Sequence, residues 1–428
     1  MITKLTLANG LTIFLKEIHT APIISHWAWY RVGSRNELPG LTGISHWVEH
    51  MQFKGTPSFP AGVLDKAISR DGGMWNAFTF LDWTAFFETM PAEKADLGLR
   101  LESDRMINSI YDPEEVESER TVIISEREGS ENEPLFRLDE AVQHAAFRSH
   151  SYRHEVIGEK EDLLHITRDD LYGHYRRYYV PGNALVAVAG DFETETMLGR
   201  IRELYEPISA GQTPADDITR EGLIQVEEQL DVSGPGETGY LRVVYRAPDS
   251  SSRAFFVMTV LDSLLSGPSS LNMFGGGGIS NKTSRLYRAL VEKELAVGVS
   301  GSLSATIDPY LYGIIATIHP RSSGENVLRA YDDEIARLQD HPVSEEEIAR
   351  AVKQARALFA YGTENITNQA FWLGYSEMFA TYEWFTHYVD NLETVTAAEI
   401  QQAAQTLLQP QRRVVGIYRP QNTPGGDE

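Results

Sequence analysis

ITRDDLYGHYRRYYVPGNALVAVAG, from Ile166 to Gly190, and VTAAEIQQAAQTLLQPQRRVVGIYR, from Val395 to Arg419, follow one plan. Each opens with residues suited to a capping box, Thr167 with Asp170 and Thr396 with Glu399, in which an Ncap hydroxyl and an N3 carboxylate each accept from the other residue's backbone N–H. Each helix then stops before a proline, Pro181 or Pro410, at the same distance from its threonine. Proline disfavours helix in the residue before it. A β-branched strand follows in both, Leu185 to Val188 and Val414 to Ile417. Two copies of one helix, turn and strand unit predict two similar halves.

Between the copies, ISAGQTPADDITRE, from Ile208 to Glu221, is rich in Gly, Pro and acidic residues and reads as a linker. The expected boundaries are an N-terminal domain at 1–207, the linker at 208–221 and a C-terminal domain at 222–428. Helical patterns at Glu114 to Arg127 and Ser344 to Phe359 alternate with strand patterns at Tyr240 to Tyr245 and Gly313 to Ile318. The expected class is α+β, with helices packed on mixed sheets. A chain of 428 residues also exceeds what one hydrophobic core usually serves.

Hydrophobic residues make up 42% and charged residues 23%, as in soluble globular proteins, and no apolar run approaches the roughly 20 residues of a membrane helix. No membrane span is expected. The opening MITKLTLANGLTIFLKE reads as two short strands around Asn9-Gly10 rather than as a secretory signal, so a cytoplasmic location is expected. There is no cysteine, which leaves His and carboxylates as the strong metal ligands. A net charge of -23 argues against nucleic acid, whose binding relies on Lys and Arg.

In LTGISHWVEHMQFKGT, from Leu41 to Thr56, Ile44, Trp47, Val48 and Met51 recur at the spacing of one helix face. His46, Glu49 and His50 gather on the opposite face, so both imidazoles point the same way one turn apart. That is a two-histidine metal clamp with a carboxylate beside it, close enough to meet a metal-bound water without being a ligand. A zinc site needs a third protein ligand, and Glu119 and Glu126, two turns apart in YDPEEVESERTVIISEREG, are the candidates. Glu126 follows the apolar run Val122 to Ile124, where an unpaired carboxylate is costly to bury. Spacing alone leaves both open, and a surface ion pair would serve either.

These residues carry a family likeness. GSRNELPGLTGISHWVEHMQFKGT, GGMWNAFTFLDWTAFFETM, SERTVIISE, the P-G-N-A strand ending in AVAGDF, and SRLYRALVEKELA together resemble the insulinase/pitrilysin family of inverzincins, in particular the zinc-bearing subunit of the mitochondrial processing peptidase and its bacterial two-subunit relatives. The resemblance implies two similar α/β-sandwich domains, mostly antiparallel, forming a clamshell half. It implies Zn2+ held by His46, His50 and Glu126, with Glu119 supporting the site. It implies Glu49 as general base on zinc-bound water, a role the chemistry independently permits. Asn76, Ala77 and Phe78 would place an extended, unfolded peptide along a strand edge.

The second half is expected to repeat the domain without the metal, Phe255 to Leu265 standing where the motif helix stands. In self-sufficient relatives an Arg and a Tyr after the S-R-L segment help bind the substrate carbonyl. Here Leu290 or Val291 stands for the Arg and Val297 for the Tyr, and none of these side chains can donate a hydrogen bond. The expectation is a heterodimer with a related non-zinc chain that supplies Arg and Tyr, or else a homodimer. The competing expectation is a structural or assembly subunit that keeps the zinc site. The glycine run Gly275 to Gly278 reads as a loop rather than a phosphate cradle, since no Lys-Ser/Thr follows it, and His154 reads as a structural hydrogen-bonding residue.

Overall fold

Gly10, at φ 91, turns the chain between β1 (Ile2–Thr6) and β2 (Thr12–Glu17), the hairpin expected around Asn9-Gly10. The computed structural model describes residues 2–70, 72–212, 214–269, 271 and 280–421, with backbone alone at 63–65 and 67. The glycine run Gly275 to Gly278 lies outside the described residues.

The first sheet adds β3 (Ile23–Tyr30), β4 (Met74–Thr79), β5 (Thr84–Pro91) and β6 (Ala184–Gly190), in the order β1-β2-β6-β3-β5-β4. The second contains β7 (Glu228–Pro235), β8 (Tyr240–Arg246), β9 (Ala296–Leu303), β10 (Leu311–Ile318) and β11 (Arg413–Gln421), in the order β7-β11-β8-β10-β9. Setting β1 aside, the sheets are topological copies. One parallel pair, β2 with β6 or β7 with β11, is followed by three antiparallel pairs. The repeat legible in the sequence ends in β6 and β11, and both of its capping boxes are formed. The class is α+β with two mixed sheets, as expected.

The described residues divide into two compact units. One comprises residues up to 127, with 154–218 and 363–382; the other comprises 128–153, 219–362 and 383 onward. Each unit thus takes in a helix from the opposite half of the sequence. Helix Ile366–Phe379 lies across β3 and β6 of the first sheet, and helix Pro134–Ala146 lies across β7, β8 and β11 of the second.

Alternation along β3 explains how the first sheet is covered on both faces. Trp27 and Trp29 point one way and meet Phe371 of the incoming helix, with ring centroids 5.4 and 5.5 Å away. Ala28 and Tyr30 point the other way, into a core shared with Trp47 and Val48. Because neither face is wet, β3 and β6 read as near-continuous apolar runs. Among the described residues no helix is long and apolar enough to cross a membrane.

Candidate metal centre

The motif helix spans Ile44–Met51 and lies between β3 and β4 in the chain. Trp47, Val48 and Met51 are fully buried and Ile44 nearly so, as the apolar spacing predicts, each contributing about 1.5–3 kcal/mol of burial. The helix begins at Gly43, whose φ of 84 and close approach to the Ile157 carbonyl leave no room for a Cβ. Gly43 has no side chain to cap with, and the buried carboxylate of Glu37 does so from outside the helix. Its Oε2 accepts from Gly43 N at 2.8 Å and its Oε1 from Ser45 N at 2.9 Å. The motif helix is therefore pinned at its start by a residue that the sequence reading did not single out.

On the open face of this helix, His46 Nε2 and His50 Nε2 lie 3.2 Å apart, and His50 Nε2 lies 3.7 Å from Glu126 Oε2. One donor atom from each of His46, His50 and Glu126 falls within 4.8 Å of the others. Two ring nitrogens aimed at one another can share a single proton at most. In tetrahedral coordination with bonds of about 2.0–2.1 Å, neighbouring donors sit about 3.3–3.4 Å apart. The histidine pair fits that spacing, and the His, His, Glu set fits a zinc ion with one position left open.

Burial, with His50 next, lowers His46 to about 3, so its imidazole is neutral at neutral pH and keeps a lone pair for a cation. His50 Nδ1 donates to Glu119 Oε1 at 2.8 Å; burial alone would pull His50 down, but Glu119, Glu49 and Glu126 outweigh it and raise it. Glu119 is buried yet held below the usual carboxylate range, burial being outweighed by His50 and by Lys54, which pairs with its other oxygen. Glu119 thus orients a histidine rather than meeting the open face directly.

The helix Pro113–Glu131 carries both glutamates. Its burial corrects one expectation: the Glu126 side chain is 48% exposed against 7% for Glu119, and Val122 before it is also 48% exposed. No burial cost demands a partner for Glu126. The run Val122 to Ile124 is not apolar packing throughout, because only Ile123 is fully buried.

Glu49 is buried beside the histidines, and burial raises its carboxyl while a hydrogen bond from Thr79 opposes the shift. Thr79 Oγ1 donates to Glu49 Oε2 at 2.6 Å. Asn76, Ala77 and Phe78 lie in β4, at the edge of the first sheet, where β4 pairs with β5 and with no other described strand. Ala77 is buried, whereas Asn76 is exposed and its Oδ1 accepts from Ala77 N. Sequence reasoning missed Thr79, Glu37 and Lys54. Their only sequence signal is nearness to the motif or to β4, since they act through contacts that folding creates.

In the second unit, helix Arg253–Leu265 lies between β8 and β9 as the motif helix lies between β3 and β4. It presents no histidine. Leu290 is buried and Val297 is 55% exposed on β9. His154 makes a structural contact, its Nδ1 lying 3.0 Å from the carbonyl of Glu155.

Comparison with known proteins agrees with this layout. The family model for insulinase (peptidase family M16) matches residues 12–160, and the model for the peptidase M16 inactive domain matches residues 165–355. An uncharacterized zinc protease of Streptomyces coelicolor is 28% identical over 371 residues, which cover 85% of this chain and 78% of that protein. The crystal structure of a protease from Helicobacter pylori shares the fold with a TM-score of 0.90 at 23% identity, over 98% of this chain and 99% of the other. The periplasmic protease PqqL from Escherichia coli shares it with a TM-score of 0.77 at 18% identity, 98% of this chain matching 48% of that one. With the two family models falling in succession along most of its length, the chain belongs to the insulinase family of peptidases, family M16.

Proposed function

We propose that this chain is a zinc-dependent endopeptidase acting on unfolded peptides, with His46, His50 and Glu126 holding the ion. The observation that carries the reading is the meeting of these three donors beside the buried carboxylate of Glu49 and next to a sheet edge. Relatives named as zinc proteases support the choice of metal. Zinc, when bound, polarises a carbonyl and brings the pKa of a water down to about 7.

The chain's own groups account for the rest. Glu49 takes a proton from the attacking water and returns it to the departing amine, general base and then general acid. Glu119, itself held by Lys54, keeps His50 turned with Nε2 toward the open face. The edge of β4 at Asn76, Ala77 and Phe78 accepts the substrate as an added strand. Main-chain pairing carries little sequence information, so broad specificity for unstructured segments follows.

The side chains of Leu290, Val291 and Val297 offer no donor to a developing oxyanion, and losing one such donor costs about 10²- to 10³-fold in rate. A related chain without the zinc motif, supplying Arg and Tyr in a heterodimer, would restore it. That one fold of this kind makes up about half of the PqqL chain supports a working unit of two such chains.

The test is to purify the chain alone and together with its genomic neighbour, measure zinc per chain, and assay unstructured peptides. Zinc at one per chain, with cleavage strongest in the mixed preparation, is expected. Full-rate cleavage by the chain alone overturns the heterodimer, and zinc without cleavage in either preparation overturns the enzyme in favour of a structural subunit.

A further inference from the structure

Glu49 depends on one neighbour for its orientation. Among the described residues its carboxylate makes a single side-chain hydrogen bond, the one from Thr79 Oγ1 to Oε2 at 2.6 Å. Thr79 is the last residue of β4 and stands opposite Thr84, the first residue of β5, across the hairpin closed by Phe80 N donating to the Trp83 carbonyl at 2.8 Å. The two threonine oxygens lie 3.3 Å apart.

Counting protons fixes the direction of this chain of groups. A hydroxyl has one proton to donate. Thr84 Oγ1, fully buried, donates its proton to the Val32 carbonyl at 2.9 Å. Toward Thr79 it can therefore only accept. Thr79 has one proton and two acceptors in reach, a neutral hydroxyl at 3.3 Å and a carboxylate oxygen at 2.6 Å. Charge-assisted bonds are shorter and about twice as strong as neutral ones, so the carboxylate takes it.

We propose, on the reading that this chain is a peptidase with Glu49 as its base, that Thr79 is a positioning residue which holds Oε2 as a standing acceptor and makes Oε1 the oxygen that handles the proton. The water oxygen forms a bond to the carbonyl carbon as one water proton passes to Oε1. The carbon–nitrogen bond then breaks and that proton moves from Oε1 to the amine nitrogen, leaving Glu49 as it began and the second water proton with the acid product. Oε2 keeps the Thr79 bond throughout, so the carboxylate does not swing between the two transfers. Thr79 also belongs to the strand whose edge receives the peptide, which places substrate docking and the aim of the base on one element.

The experiment compares Thr79→Val, which keeps the branched shape and removes the hydroxyl, with Thr79→Ser, which keeps the hydroxyl and removes the methyl. Zinc content, kcat and KM are measured for the full chain in its active preparation, and the crystal structure of Thr79→Val is determined. Thr79→Val is expected to keep its zinc and its KM while kcat falls by about 10- to 100-fold, the scale of a slightly misplaced catalytic group, with the Glu49 carboxylate turned out of its place. Thr79→Ser is expected to restore kcat to within about threefold. Equal losses in Val and Ser, a kcat unchanged in Val, or a loss that tracks missing zinc overturns the proposal. If the unaltered protein cleaves no peptide, the peptidase reading falls by itself; a Glu49 carboxylate unmoved in Thr79→Val then still overturns the positioning role, and a displaced one upholds it.

Discussion

His50 Nδ1 donates to Glu119 Oε1 at 2.8 Å, and the other carboxylate oxygen of Glu119 is taken by the ammonium of Lys54. A carboxylate behind a ligating histidine fixes which ring nitrogen carries the proton, and here it leaves Nε2 as the acceptor that faces His46 and Glu126. Removing such a partner typically costs 10- to 100-fold in metal affinity. Glu119→Gln is expected to weaken zinc binding by about that factor, and Lys54→Met by about the lower end of it, in competition titrations against a chelator. Wild-type affinity in both variants would contradict the relay.

Gly374 lies in helix Ile366–Phe379 where a Cβ would overlap the indole of Trp29. In an exposed helix, Gly to Ala is favourable by about 1 kcal/mol. Here the methyl meets a buried ring, and overpacking of a tight core costs about 1–3 kcal/mol. Gly374→Ala is expected to lower the midpoint of thermal unfolding, and a raised midpoint would show that the helix sits farther from β3 than described.

The reciprocal exchange of helices makes a statement about folding. A fragment ending in the 208–221 segment lacks helix Ile366–Phe379, which covers Trp27 and Trp29, and the remaining fragment lacks helix Pro134–Ala146, which covers β11. Each fragment expressed alone is expected to aggregate or to lack a cooperative thermal transition, and the two expressed together to regain one. Two independently folded fragments would contradict this.

Glu221 gathers the backbone of the segment at 148–150. Its carboxylate accepts from Arg148 N at 3.0 Å, from His150 N at 2.7 Å, from Ser149 N, and from the Ser149 hydroxyl Oγ at 3.0 Å. Burial would raise its carboxyl, but the Ser149, His150 and Arg148 N–H groups outweigh it and bring it down to about 2. A carboxyl lowered on folding stabilises the protein above its unfolded value of about 4.3 and ceases to do so as pH falls toward 2. Glu221→Gln is expected to melt below the unaltered protein at pH 7, with the gap closing as the pH is lowered through 4. A gap that is constant with pH would contradict the charge's role.

Much of this architecture was legible because its signals are local. The capping boxes at Thr167 and Thr396, the prolines after them and the apolar stripe of the motif helix each depend on residues a few places apart. The likeness of the two halves followed from that pattern, and the matching sheet orders bear it out. What stayed hidden depends on distant contacts. Helix Ile366–Phe379 is apolar almost all round, which announces burial but not the sheet it joins. Glu37 caps the motif helix from outside it, and Thr79 meets Glu49 only because β4 and β5 close into a hairpin. For Glu126 the burial argument failed, since three apolar neighbours in a helix point in three directions and only Ile123 among them is fully buried.

Glu49→Gln is the most direct test, because the amide keeps the shape of the side chain and cannot take up a proton. Zinc per chain and cleavage of an unstructured peptide are measured together in the unaltered protein and in the variant. The account predicts one zinc per chain in both, with the rate in the variant lower by about 10²- to 10⁴-fold, the usual contribution of a general base. Cleavage by Glu49→Gln at the unaltered rate, with its zinc in place, would contradict it.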